Sequence, residues 1–157
     1  MRPPFLLLTL VCCALAFSLA LSSHWPVEQL LMWPVFLAAL FSHIAVNTLN
    51  EYQDFNSGLD FNTLKTPFSG GSGALPDNPS AARSVLFTAL GATMITAMLG
   101  LYLLIKQGPQ LLIPGLVGLV LITAYTRWIN RMPWLCLIAP GVGFGLLMVI
   151  GSYVALT

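Results

Sequence analysis

The stretch EYQDFNSGLD, residues 51–60, carries three of the five acidic residues of the chain, Glu51, Asp54 and Asp60. It lies at the end of a long apolar run that begins near Val27. Carboxylates are costly near hydrocarbon, and those found there usually have a function. The sequence therefore indicates a functional site at this point of the chain.

A polar face leads up to this stretch along the same run. At about 3.6 residues per turn, five polar positions fall within an arc of roughly 100° on a helix. They are His43, Asn47, Asn50, Glu51 and Asp54. We expect these side chains to point at one place, a cavity between helices, because burying them against lipid would cost several kcal/mol.

The composition identifies the surroundings as a membrane. Of the 157 residues, 57% are hydrophobic and only 7% are charged. This leaves too little polar surface to cover a soluble globule of this length. The sequence predicts an all-α, polytopic integral membrane protein with a single transmembrane domain over residues 1–157.

Two other classes of function are excluded. The six basic residues form no dense patch or stripe of the kind that a phosphate backbone requires, so no nucleic acid is expected as a partner. The three cysteines, Cys12, Cys13 and Cys136, lie in apolar stretches without CxxC spacing. Neither a disulfide framework nor a zinc site is indicated, and we interpret them as small apolar residues.

Runs of about 20 apolar residues give five candidate transmembrane helices. They are Phe5 to Leu21, Val27 to Asn50, Val85 to Ile105, Leu111 to Trp128 and Trp134 to Leu156. The first run also resembles a secretory signal, with Arg2 before it and small residues near Ala20. Its apolar part is longer than the usual 7–15 residues of such a signal, which favours a retained helix.

The basic residues predict the orientation, because cytoplasmic loops carry an excess of Lys and Arg. With a cytoplasmic N-terminus, five basic residues share the cytoplasmic side and one lies opposite. The five are Arg2, Lys65, Arg83, Arg127 and Arg131, and the sixth is Lys106. The acidic segment and the long loop after it, residues 54–82, would then face the cytoplasm from the cell (inner) membrane.

This loop contains the glycine-rich sequence SGGSG, residues 69–73. Without context such a sequence is a flexible linker, but its backbone N–H groups can also form a nest that binds anions. Carboxylates, amide donors and Lys65 side by side suit a phosphate group whose charge is partly carried by Mg²⁺. Both interpretations of the glycines remain open at this point.

The segment NTLNEYQDFNSGLD, residues 47–60, resembles the first Asp-rich motif of the UbiA superfamily of intramembrane prenyltransferases. Its pattern N-[DE]-Y-x-D-x-x-x-G-x-D is most similar to the menaquinone-type branch. Three further passages resemble the same family: RPPFLLLTL at 2–10, AYTRWINRMPW at 124–134 and GVGFG at 141–145. The resemblance covers essentially the whole chain, but only the front half of the family.

The chain departs from the family in two ways. Glu51 stands where many members have Asp, which keeps the carboxylate and adds one methylene. Family members have about nine transmembrane helices and a second Asp-rich motif on a later cytoplasmic loop, whereas these 157 residues contain no second DxxxD. We therefore expect a fragment, a truncated product or one part of a split enzyme, completed by a second polypeptide that carries the other motif.

The resemblance implies Mg²⁺-assisted transfer of a polyprenyl group from prenyl diphosphate to an aromatic acceptor, of the kind used in quinone biosynthesis. It implies catalytic roles for Asn50, Asp54 and Asp60, which would also bind the metal together with Glu51. The remaining candidates are substrate contacts: Asn47, Lys65, Arg131 and Tyr125.

Several of these residues also have simpler interpretations. Asp60 alone would be a solvated charge at a helix end, and Arg127 and Arg131 could serve topology only. Tyr125 is equally an interface anchor, and a single His such as His43 is more often structural than chemical. Three glycines of the last run, Gly141, Gly143 and Gly145, are expected to allow close helix packing.

A second class of function has to be weighed, because intramembrane carboxylates also occur in cation or proton transporters. A chain with five spans could equally be a non-catalytic assembly partner. The glycine-rich loop with Lys65 favours a diphosphate site, since a proton path does not need it. No inverted or parallel repeat of the acidic segment, which would favour a transporter, is found in the sequence.

The orientation can be tested by cysteine-accessibility labelling of single substitutions in a cysteine-free background. A cysteine at Ser72 should react with a membrane-impermeant reagent from the cytoplasmic side, and one at Gln107 from the opposite side. Labelling of position 72 from outside only would contradict both the orientation and the cytoplasmic placement of the site.

Overall fold

The computed structural model describes residues 3–62, 73–125, 128–129 and 132–157, and within them every regular element is helical. The fold class predicted from the sequence, an all-α bundle, is confirmed. The α-helices are α1 Leu7–Ser22, α2 Met32–Asn56, α3 Leu59–Asn62, α4 Ala74–Asp77, α5 Ala82–Gln107, α6 Leu112–Ala124, α7 Pro133–Pro140 and α8 Gly151–Val154. A π-helix, Gly141–Ile150, joins α7 to α8.

Within the described ranges, three helical stretches are long and apolar enough to cross a membrane: Gln29–Asn56, Pro79–Gln107 and Trp134–Val154. The other two predicted runs form shorter apolar helices, Leu7–Ser22 and Pro109–Ala124. At 1.5 Å per residue the 13 residues of α6 rise about 20 Å, less than the hydrocarbon thickness of about 30 Å. Among the described residues, α6 ends at Ala124, four residues before the predicted end at Trp128.

Short 3-10 turns lead into α1, α2, α5 and α6. They are Pro3–Leu6, Gln29–Leu31, Pro79–Ala81 and Pro109–Leu111. A proline suits the first position of a helix because the N–H it lacks would have no intrahelical partner there. Before the last of these turns Gly108 has φ +106°, which a residue with a side chain rarely adopts, so the chain reverses at this glycine.

Helix α2 is the centre of the packing, and its most extensive contact is with α5. Ala45 and Ala92, with exposed fractions of 0% and 4%, form a small buried cluster with Ile122 of α6. Small side chains let membrane helices approach closely, and their packing replaces the hydrophobic effect that drives association in water. The alanines therefore fix the position of α5 against α2.

The last helix changes form at Pro140. Proline has no N–H to donate and its ring displaces the carbonyl of the preceding turn, and from Gly141 onward the helix widens to the π form. Apart from the chain neighbours of each glycine and the adjacent backbone of its own helix, no described atom lies within 4 Å of the position that a Cβ would take at Gly141, Gly143 or Gly145. The prediction that these glycines allow close helix packing is therefore wrong for the part of the chain described.

At the end of the bundle opposite the acidic segment, two hydrogen bonds join other parts of the chain to its last residues. The backbone N–H of Glu28 donates to the carbonyl of Leu156 at 2.9 Å, and Gln107 Nε2 donates to the carbonyl of Ala155 at 3.0 Å. Leu156 is fully buried, in an apolar cluster with Leu31 among others. This end of the bundle is therefore apolar and closed by hydrogen bonds.

Enlarging the contact between α2 and α5 should destabilise the bundle. We expect Ala45→Leu to lower the free energy of unfolding by about 1–3 kcal/mol, because a well-packed site must move to accept the extra methylenes. The measurement is the thermal unfolding midpoint in detergent. Gly91→Ala is the matched control, since no described atom beyond its own stretch of helix lies within 4 Å of its Cβ position. An equal loss in both variants would contradict the packing.

Candidate active-site cavity

A cavity of about 1110 Å³ lies between the helices. Most of its lining is apolar and comes from α2, α5, α6 and the π-helix, with Phe5 and Leu8 from the start of the chain. Polar side chains also face it. Six of them lie on α2: Ser42, His43, Asn47, Asn50, Glu51 and Asp54. The others are Asp60, Thr96, Tyr125 and Ser152, which lie on or beside other helices. The cavity thus joins a carboxylate-bearing end to a long apolar part.

The polar face that the helical period predicts on α2 lines this cavity in full. Asp54 and Glu51 are each 8% exposed. Asn50 Nδ2 donates to Asp54 Oδ2 at 2.7 Å, one turn apart on the same helix. The amide therefore holds the carboxylate in one orientation and leaves its other oxygen available to a ligand.

Asp60 reaches the cavity by a different route. Helix α2 ends at Asn56, the N–H of Gly58 donates to the carbonyl of Phe55 at 3.1 Å, and Gly58 has φ +78°. A glycine in this left-handed conformation ends a helix at no steric cost. The chain turns back into α3, which buries Asp60 to 5% exposure beside the end of α2.

The three carboxylates lie close enough to interact. The negative charges of Asp60 and Glu51 both act on Asp54, and the amide of Asn50 partly compensates them. Like charges in a medium of low dielectric repel strongly. The arrangement therefore favours a bound cation or hydrogen-bond donor over an empty site.

The donor set suits Mg²⁺, which prefers oxygen ligands. Nevertheless, within the described ranges no three His, Cys, Asp or Glu side chains are arranged to hold a metal ion by themselves. Mg²⁺ is commonly bound by one or two carboxylates, with waters and substrate phosphates completing its shell. The oxygen donors at this end of the cavity, Asp54 and Asp60 among them, fit that incomplete type of site.

Tyr125 follows the last residue of α6 and lines the same cavity. Its Oη lies 3.9 Å from Cys136 Sγ, and the phenol is within electrostatic range of Asp54. It therefore stands near the carboxylate end, where we predicted a substrate contact. Two other predicted substrate contacts, Lys65 and Arg131, lie outside the described residues, as does the loop from 63 to 72.

One polar contact in the cavity wall was not predicted from the sequence. Thr9 Oγ1 of α1 lies 2.6 Å from His43 Nδ1, and both residues are buried. The edge of Phe144 packs against the imidazole, with ring centroids 4.8 Å apart. The two residues are 34 positions apart, so no periodicity within one helix could have paired them.

Comparison with known proteins identifies the family of this chain. A model of the UbiA prenyltransferase family matches residues 9–157, nearly the full length of the chain. The chain therefore belongs to the UbiA prenyltransferase family, and it is an integral membrane protein. No solved structure matches it.

Among characterised proteins, 1,4-dihydroxy-2-naphthoate octaprenyltransferase of Bacillus subtilis (strain 168) is 36% identical over 96 residues. The alignment covers 59% of this chain and 30% of the relative. The chain thus matches less than a third of that protein's length. The resemblance to the menaquinone-type branch, noted from the Asp-rich motif, is confirmed.

Neutralising one carboxylate should relieve the repulsion in the absence of metal. We expect Asp54→Asn to raise the unfolding midpoint in a chelator, and to reduce the further increase that Mg²⁺ gives to the wild type. Differential scanning fluorimetry in detergent measures both effects. The exposed Asp77 provides the control Asp77→Asn, and the same response in that variant would rule out a local effect at the cavity.

Proposed function

We propose that this chain binds a prenyl diphosphate through Mg²⁺ at Asn50, Glu51, Asp54 and Asp60, as part of an enzyme that transfers the prenyl group to an aromatic acceptor. The observation that carries the proposal is the position of Asp54 and Asp60, buried where the apolar cavity meets the acidic end. Family membership and the naphthoate-prenylating relative support the same class of reaction.

The chemistry requires both ends of this cavity. Breaking the allylic C–O bond moves negative charge onto the diphosphate, and a bound Mg²⁺ supplies the positive charge that stabilises it. Asp54, oriented by Asn50, would hold that end of the substrate in place. The apolar wall would exclude water, which could otherwise capture the electrophilic carbon.

The other proposed substrate contacts are assigned from the positions of their residues. Asn47 lies about two turns before Asp54 on the same face, where it would reach the far side of the diphosphate. Tyr125 would contact the diphosphate or the acceptor from α6. Lys65 and Arg131 are proposed as cationic diphosphate contacts on their charge and predicted cytoplasmic side alone.

The same proposal sets the orientation. The carboxylate end of the cavity would face the cytoplasm across the cell (inner) membrane, where soluble diphosphates are available. The apolar part of the cavity also bears on the alternative of a cation or proton carrier. Among the described residues, most of the lining beyond Asn47 is aliphatic, which suits a hydrocarbon chain better than the transfer of protons.

These 157 residues carry one Asp-rich segment, whereas the family's arrangement clamps the diphosphate between two. We therefore propose that turnover needs a second Asp-rich segment, supplied by another polypeptide. We expect the purified chain to bind geranyl diphosphate weakly in Mg²⁺, and not to prenylate 1,4-dihydroxy-2-naphthoate. Co-expression with a polypeptide carrying such a segment should restore transfer, and prenylation by the purified chain alone would contradict this account.

Binding itself can be tested on the chain as it stands. Asp54→Asn should weaken Mg²⁺-dependent binding of geranyl diphosphate by about tenfold or more, since a contact between charged groups is worth about 1.5–3 kcal/mol. Equilibrium binding of labelled diphosphate in detergent measures the change. Asp77→Asn should bind like the wild type, and unchanged affinity in Asp54→Asn would refute the assignment of the site.

A further inference from the structure

We propose that His43 binds the hydroxyl group of an aromatic acceptor, and that the Thr9 hydroxyl holds its imidazole in position for this contact. The inference rests on the proposed function, because it assigns a place to the second substrate of that reaction. It starts from the imidazole of His43, which lies in the part of the cavity beyond the reach of a diphosphate held at Asp54.

The imidazole of His43 has one nitrogen occupied and one available. Nδ1 is 2.6 Å from Thr9 Oγ1. The residue is only 4% exposed and lines the cavity, and within the described part of the chain Nε2 has no hydrogen-bond partner. Nε2 is also not fully enclosed by protein atoms, so it faces the cavity.

The neighbouring hydroxyl groups do not offer the same opportunity. Ser42 donates to the carbonyl of Ala39 at 2.8 Å, and Thr96 donates to the carbonyl of Ala92 at 2.9 Å. Their protons are used within their own helices, as is common for such residues. Of these three side chains on α2 and α5, His43 is the one with a second hydrogen-bonding atom that is left for a ligand.

Distance separates this position from the diphosphate. His43 precedes Asp54 by 11 residues, which is about 16 Å along the axis of α2. A diphosphate held at Asp54 would extend toward Asn47, one turn short of His43. The group beside the imidazole is therefore either hydrocarbon of the prenyl chain or a part of the acceptor.

Hydrogen bonding distinguishes these two occupants. A prenyl chain has no donor or acceptor, and covering Nε2 with hydrocarbon would leave a buried polar atom unpaired at a cost of about 1–3 kcal/mol. A phenolic or naphtholic hydroxyl both donates and accepts. It would therefore complement Nε2 in either tautomer of His43, whichever one Thr9 selects.

The surroundings suit an aromatic ring as well. Phe144 lines the cavity and packs edge-on against His43. Aromatic rings favour edge-to-face and offset contacts, worth about 0.5–1.5 kcal/mol beyond their buried area. A ring anchored by its hydroxyl at His43 would have Phe144 beside it and its opposite edge directed toward Asn47.

The test compares 1-naphthol with naphthalene, which has the same ring system without the hydroxyl. We expect the wild-type chain in detergent to bind 1-naphthol about tenfold more tightly, as one hydrogen bond in an apolar site would give. His43→Phe should remove this preference and leave Mg²⁺-dependent binding of geranyl diphosphate unchanged. Thr96→Val, another cavity-lining position, should keep both properties.

Variants of Thr9 test the positioning role and do not alter the imidazole itself. Thr9→Val should reduce the preference for 1-naphthol, and Thr9→Ser, which keeps the hydroxyl, should restore it. The absorbance of bound 1-naphthol provides a second readout, because its band shifts when the hydroxyl is hydrogen-bonded. We expect this shift in the wild type, in Thr9→Ser and in Thr96→Val, and we expect it to be absent in His43→Phe.

Each failure has a different meaning. Equal affinity of the wild type for 1-naphthol and naphthalene, or a preference that survives His43→Phe, would overturn the proposal. Loss of geranyl diphosphate binding in His43→Phe together with loss of the preference would also overturn it, by showing that His43 is structural. A wild-type chain that shows the preference but no Mg²⁺-dependent diphosphate binding would instead refute the proposed function.

Discussion

The burial of carboxylates at the end of a membrane helix is the constraint on which the rest of this structure depends. Asp54 and Glu51 would be costly against lipid, so the face of α2 that carries them must turn inward. This orientation places the opposite face, with Ala45, against α5. A cavity between helices is thus a consequence of where the polar residues stand along α2, and the other helices assemble around that face.

Much of this arrangement could be predicted from the sequence. The helical period grouped Asn47, Asn50 and Asp54 on one face, and hydropathy gave the class of fold. Both succeed because a membrane leaves few options: backbone polar groups must be satisfied within helices, and polar side chains must avoid lipid. The family resemblance then followed from residue order within a single segment, which no tertiary information was needed to recognise.

The features that could not be predicted depend on the three-dimensional surroundings of each residue. Thr9 and His43 meet because α1 packs beside α2, and hydropathy does not record which face of α1 does so. The widening of the last helix into a π-helix depends on how Pro140 is accommodated. The spacing of Gly141, Gly143 and Gly145 after it is typical of a packing motif, yet among the described residues no side chain of another helix fills the space beside them. Sequence patterns identify such residues but not their neighbours.

The hydrogen bonds of the apolar end have a mechanical consequence. The backbone of Glu28 and the side chain of Gln107 both donate to carbonyls of the last residues of the chain. Glu28 precedes the 3-10 turn into α2 and Gln107 is the last residue of α5, so the two hydrogen bonds join both of these helices to the same short stretch of chain. Because both acceptors are backbone carbonyls, this coupling does not depend on which side chains stand at positions 155 and 156, and a displacement of the last residues would move the ends of α2 and α5 together.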